Sequence, residues 1–375
     1  MRIQPLAAGW VLLVLVGSIQ GADSWQALLG TLRAAGPEGK GSVEAAAAWR
    51  RLVQADADVL PQVLEAIDGA DPLAANWLRT AVDAIAERQV RRGGPLPVKR
   101  LEAFLLDTGH DPKARRLAYE LLCQADPSAP ERLLPGMLDD PSLEIRRDAV
   151  ARLIQRAEGV EKAKGSSQAV RLYWRALTAA RDLDQIRLLA RRLRQAGQTV
   201  DLARHFGFIV RWKLIGPFDN TDRRGLDTAY PPEEEIDFAA TYDGKHGPVR
   251  WIDYQTSHAY GKVDLNAALV EEKEVVGYAA AEFRSDQRRE VQLRLATPNA
   301  AKVWLNGQLL ARYPIYHAGF QMDQYSVSGT LRAGRNVILV KICQNEQTQD
   351  WARDWVFQLR VCDRTGGGIR STGRP

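Results

Sequence analysis

The residues whose types and spacing could do chemistry in this chain are aromatic. Tyr313, Tyr316, His317 and Phe320 fall within one short stretch, and Trp351 sits in a second, polar stretch, QNEQTQDWARD. Flat aromatic faces beside polar groups can stack on sugar rings and hydrogen-bond their hydroxyls. These five are the candidate carbohydrate-binding residues. The same residue types near strand ends also commonly close a hydrophobic core, and that structural role competes with the binding one.

Other constellations fail on context. GPEGKGS (36–42) approaches a phosphate loop, but Gly41 stands where Ser or Thr should follow Lys40, and a helical stretch precedes it where a strand is required. Neither GxSxG nor HExxH occurs. His110, His205, His246, His258 and His317 lack ligand-like spacing, so neither a metal site nor a cofactor is expected. PPEEEID (231–237) reads as a solvated charged turn. Arg187, Arg191, Arg192 and Arg194 in segment 171–198 read as the wet face of an amphipathic helix rather than an anion-binding ridge. Cys343 and Cys362 invite a disulfide. If their strands form a hairpin, the two lie about 20 Å apart, against a Cα limit near 7 Å, so a bond needs strands in different sheets.

Composition sets the frame for positioning these residues. At 375 residues the chain can bury two cores. The net charge of +5 is compatible with an anionic partner without requiring one, and no nucleic-acid partner is expected. The N-terminus, MRIQPLAAGWVLLVLVGSIQGADSW, carries one Arg and then an apolar run too short to span a bilayer, followed by small or polar residues. It reads as a signal peptide over residues 1–21, cleaved after Gly21 or Ala22. No Cys follows to carry a lipid. The mature protein is expected to be exported, periplasmic or extracellular, with no integral membrane segment.

Residues 22–205 read as successive helices. SVEAAAAWRRLVQ, PLAANWLRTAVDAIAER and KARRLAYELLCQA space apolar residues at three and four. Asp-Pro pairs at Asp71-Pro72, Asp111-Pro112, Asp126-Pro127 and Asp140-Pro141 separate them, with Asp suited to capping and Pro to the first helical position. LLPGMLDDPSLEIRRDAVARLIQRA (133–157) resembles a HEAT repeat through Asp140-Pro141, Ile145-Arg146, Ala149 and Leu153. That resemblance implies a short, degenerate HEAT-like α-solenoid whose surface takes a protein partner; the irregular spacing of the Asp-Pro pairs keeps an irregular helical bundle open as the alternative.

After His205 the period changes. REVQLRLAT (289–297) and WVFQLRVCD (355–363) alternate, as strands with one buried face do, and NVILVKI (336–342) is a continuous apolar strand. In AKVWLNGQLLAR, Asn306-Gly307 marks a tight hairpin turn. With Trp304-Leu305-Asn306-Gly307, Gly319-Phe320, Asp323 and the turn Leu331 to Asn336, residues 275–363 resemble the galactose-binding-like jelly roll, in particular the sugar-binding domain of family 2 glycoside hydrolases. The resemblance implies a β-sandwich domain over 206–364 whose loops can bind glycan, followed by a flexible tail, 365–375. The two-glutamate catalytic barrel of that family has no room here. The sequence therefore points to an exported, non-catalytic interaction or scaffold protein. A glycan-binding accessory protein of a polysaccharide-processing system is the alternative, and an enzyme of unrecognised type rests only on loops such as 219–262.

Overall fold

The computed structural model describes residues 20–164 and 166–372; most of the expected signal peptide and the last three residues lie outside this range. The chain folds into two compact units, the first up to Gly159 and the second from Val160 onward. Helices build the first, and helices plus antiparallel sheets build the second.

In the first unit two of the four Asp-Pro pairs start helices as expected, while Asp126 ends a helix and Asp140-Pro141 precedes the helix that begins at Leu143. Asp71 caps helix Pro72–Arg91 by accepting from the Leu73 and Ala74 amides, and Asp111 caps Pro112–Ala125 through Lys113 and Ala114. Leu52, Leu60, Leu64, Leu78, Leu101 and Leu122 fill its core. Asp residues also fasten one helix to the next. The buried Arg115 guanidinium donates to both oxygens of Asp140, at 2.8 and 2.6 Å, and to the Leu105 carbonyl. Asp68 lies 2.7 Å from His110 Nδ1 and accepts from the Asp111 amide.

In the second unit the strands are β1 (Arg211–Asp219), β2 (Thr241–Asp243), β3 (Pro248–Arg250), β4 (Ile252–Gln255), β5 (Val263–Asp264), β6 (Val275–Ser285), β7 (Arg289–Ala296), β8 (Ala300–Leu305), β9 (Gln308–Tyr313), β10 (Tyr325–Leu331), β11 (Gly334–Gln344) and β12 (Val356–Cys362). Six form one antiparallel sheet in the order β4-β1-β6-β11-β8-β9, four form a second in the order β10-β7-β12-β5, and β2 pairs with β3. Asn306 and Gly307, with φ of 54° and 81°, turn β8 into β9 as the sequence requires. Val303, Ile338, Val340 and Ile342 of the larger sheet share one core with Leu293, Leu295, Phe357 and Leu359 of the smaller.

The larger sheet is buried on its other face too, which is why β11 reads as continuously apolar. Phe218, Tyr278, Trp304 and Leu339 lie beneath Leu226, Tyr230, Ile236 and Trp251 of the 219–251 segment. Lys341 points into this layer. Its Nζ donates to Glu233 (2.6 Å) and the Thr228 carbonyl (2.7 Å), between the rings of Tyr230 and Tyr278. PPEEEID is thus not simply a solvated turn: Glu233 faces inward to neutralise a buried cation.

Two further expectations change. The division into units falls at 159/160 rather than at 205/206, because the helices after 160 are tied to the sheets. Arg187 Nε reaches the Tyr260 hydroxyl at 3.3 Å, and Arg360 donates to the Phe206 carbonyl at 3.2 Å. The segment expected to be a flexible tail is pinned as far as Thr372. Ile369 donates to the Val361 carbonyl, Thr372 donates to that of Arg284, and Gly368 passes so close to Gly207 that a Cβ would lie 2.5 Å from its nitrogen. β11 and β12 do lie in different sheets, yet Cys343 and Cys362 are free. Cys343 packs in the outer layer with Leu339, while the Cys362 thiol sits 3.6 Å from the Gln292 carbonyl.

Candidate binding site at one end of the sheets

Adjacent strands of the larger sheet bring three sequence-distant residues into a row at one end. Asn220 follows β1, Glu274 precedes β6 and Asn345 follows β11. The Asn220 amide donates to the Glu274 carbonyl (2.8 Å), and the Glu274 amide to the Asn345 carbonyl (3.1 Å), so the ladder continues past the strands. Asn220, Gln344, Asn345 and, before β8, Asn299 are all buried. Buried carboxamides require partners, and most of theirs are found here. Asn299 Nδ2 donates to Gln344 Oε1 (3.0 Å), while Asn220 Nδ2 donates to the Gln344 carbonyl (2.7 Å). The Oδ1 atoms of Asn220 and Asn345 are the exceptions: both are buried without a hydrogen-bond partner.

Two aromatic residues rest on this row. Asn220 Nδ2 also donates to the Tyr316 hydroxyl (3.2 Å), and Asn345 Nδ2 to His317 Nε2 (3.0 Å). The backbone at His317 is left-handed (φ 61°), and its amide is tied to the Pro298 carbonyl. These contacts fold the segment after β9 over the sheet end. Trp351, in the turn Asp350–Ala352, meets His317 edge to face with centroids 4.7 Å apart, and remains 63% exposed. The Tyr316 hydroxyl is pushed up to about 12 by burial. Arg223, on a left-handed turn (φ 62°), lies over the Tyr316 ring at 5.3 Å and grips Glu346 with two guanidinium nitrogens. That grip holds the Glu346 carboxyl at about 2.

The five candidate residues therefore divide. Tyr316, His317 and Trp351 come together. Tyr313 instead stacks on Tyr325 at 4.1 Å and packs against the shared core, the structural role of an aromatic at a strand end. Phe320 has Lys262 over its ring at 5.7 Å. Asn220, Arg223, Asn345 and Glu346 were not singled out from sequence. Their signal is a polar residue directly after an apolar strand, in GPFDN and in ICQNE, which ordinarily means a turn.

Chemically, the cluster offers an exposed indole face, an imidazole edge and buried amides. Among the described residues no group of His, Cys, Asp and Glu could hold a metal ion, and no helix is long and apolar enough to cross a membrane.

No protein-family model and no curated protein matches the chain. Solved structures similar to part of it include β-glucosidase from Kluyveromyces marxianus in complex with glucose, at 12% identity and a TM-score of 0.26, over 40% of this chain and 16% of that one. A β-glucuronidase of an uncultured Clostridium sp. is similar at 13% identity and a TM-score of 0.26, over 42% of this chain and 29% of that one. The Faecalibacterium prausnitzii β-glucuronidase has 13% identity and a TM-score of 0.21, over 42% and 31%. The chain spans less than a third of each of these three proteins. Likeness at this level carries no argument about activity.

Proposed function

We propose that the protein is an exported, non-catalytic binding protein whose sheets form a galactose-binding-like β-sandwich that holds a glycan at the Trp351 end. The helical unit is then a HEAT-like α-solenoid that engages a protein partner, giving the chain a scaffolding role. The observation that carries the glycan reading is Trp351 itself. A large apolar ring left 63% exposed, braced by His317 above buried amides, is a stacking surface rather than a core cap. Glu346, at the same sheet end, is a poor proton donor, since Arg223 keeps it ionised. The test is affinity electrophoresis and calorimetry of the full chain against neutral and acidic polysaccharides. Binding that disappears in Trp351→Ala, without hydrolysis, is expected. Retained binding in that variant refutes the site, and release of reducing ends refutes the non-catalytic assignment.

A further inference from the structure

This inference rests on the glycan reading and asks what the two unpartnered amide oxygens serve. Asn220 and Asn345 are each fully buried and held by their Nδ2 donors: Asn220 by the Gln344 carbonyl and the Tyr316 hydroxyl, Asn345 by His317 Nε2 and Gln347 Oε1. A buried carbonyl oxygen left without a donor is disfavoured, and natural structures rarely keep one without a use. The two lie at one sheet end with Glu274 between them in the ladder. Asn220 Oδ1 is packed against the buried Gly225, so Asn345 Oδ1, beside Glu346 and His317, is the one that a ligand could use.

The residues above them are connected. The Arg223 amide donates to the Asn220 carbonyl (2.9 Å), and Glu346 follows Asn345 in the chain. The Arg223–Glu346 pair thus bridges the two segments that carry the spare acceptors, and its guanidinium occupies the face of Tyr316. The pair is also half exposed, with side chains at 47% and 45%. Ion pairs this exposed shift an equilibrium by only about 2- to 5-fold and weaken with salt.

We propose that the Arg223–Glu346 ion pair is a displaceable cover over a neutral-sugar subsite whose hydrogen-bond acceptor is the carboxamide oxygen of Asn345. Displacing the guanidinium bares the Tyr316 face for stacking and lets a ring hydroxyl donate to Asn345 Oδ1. The ligand is uncharged because acceptors call for donors, and because the cations at this end are engaged. Arg223 holds Glu346, Lys245 holds Glu272 and the carbonyls of Lys273 and Glu274, and Lys273 holds the Ala352 carbonyl.

The experiment is calorimetric titration of the full chain with galactan, xylan and β-glucan oligosaccharides, with oligogalacturonate as the acidic arm. Arg223→Ala and Glu346→Ala should each tighten binding of the neutral ligand by about 2- to 5-fold, and the double variant should gain no more than either. Wild-type affinity should rise between low and high salt while that of both variants stays level. Asn345→Ala in the Arg223→Ala background should lose tenfold or more. If it fails to fold, the exposed cover variants still decide the matter. Weaker or unchanged binding in Arg223→Ala overturns the proposal, as does preference for oligogalacturonate. If Trp351→Ala abolishes binding while the cover variants change nothing, only the cover falls. If the wild type binds no probe, the glycan reading falls with it.

Discussion

Two tryptophans four residues apart should respond in opposite ways to the same substitution. Trp355 has no exposed surface, and its Nε1 donates to the Ile342 carbonyl at 3.2 Å. Trp355→Ala empties a fully buried indole site in the shared core, for a loss of about 3–5 kcal/mol. In a unit of about 200 residues, 1 kcal/mol moves Tm by roughly 2–4 °C, so a fall on the order of 10–15 °C is expected. Trp351 keeps most of its surface in water and gives up chiefly its edge contact with His317, worth about 1 kcal/mol. Its Ala variant should melt within a few degrees of wild type. Gly277 supplies an internal control, since a Cβ there would lie 2.8 Å from Trp355 Cζ2. Gly277→Ala should cost about 1–3 kcal/mol alone and much less beside Trp355→Ala. Urea titrations followed by near-ultraviolet circular dichroism measure all four proteins. Equal losses at Trp351 and Trp355, or additive effects at Gly277 and Trp355, would refute this account of the packing.

Three further outcomes follow from the buried charges. Lys341→Met should destabilise the two-sheet unit by roughly 3–5 kcal/mol in urea titration, because Glu233 is left facing Tyr278 without its cation; adding Glu233→Gln should restore part of the loss. At Asp323 burial opposes ionisation, but Arg360 and Arg294 outweigh it and hold the carboxyl below its usual range. Its contribution is therefore complete above pH ~4 and disappears as pH falls through the lowered folded value, so wild type and Asp323→Asn should converge in stability on acidification. Burial, then Arg181, Arg370 and Arg360, push His205 down to about 4. The neutral ring is the folded form, so wild-type Tm should fall as pH drops from about 6.5 to 4, and His205→Gln should flatten that window.

The features legible in the sequence are those set by neighbours along the chain. Asn306-Gly307 turns because both residues tolerate positive φ, and Asp71 caps because its carboxylate reaches the amides of Leu73 and Ala74, two and three residues on. The alternation in β7 records burial face by face, whereas β12, expected from the same pattern to keep one face wet, is buried throughout, Gln358 and Arg360 included. What stayed hidden depends on contacts across the fold. The continuous apolar run NVILVKI is the sequence sign that both faces of β11 are covered, and Lys341 within it calls for an acid, yet nothing local names Glu233 as that acid. The Gly-rich end looks loose because glycines there serve close packing rather than mobility: Gly368 touches Gly207 and Gly367 crowds Arg181. The same limit applies to the site. Trp351 and His317 could be chosen by residue type, but their meeting requires that the segments after β9 and after β11 return to the same sheet end. Asn220 and Asn345 could not be chosen, since a polar residue closing a strand usually faces water at a turn. Here each is buried, with Tyr316 resting on Asn220 and His317 on Asn345, and burial converts an ordinary turn residue into an acceptor that needs a donor. Sequence type thus selects the ligand-facing rings, whereas the groups beneath them acquire their chemistry only from where the strands end.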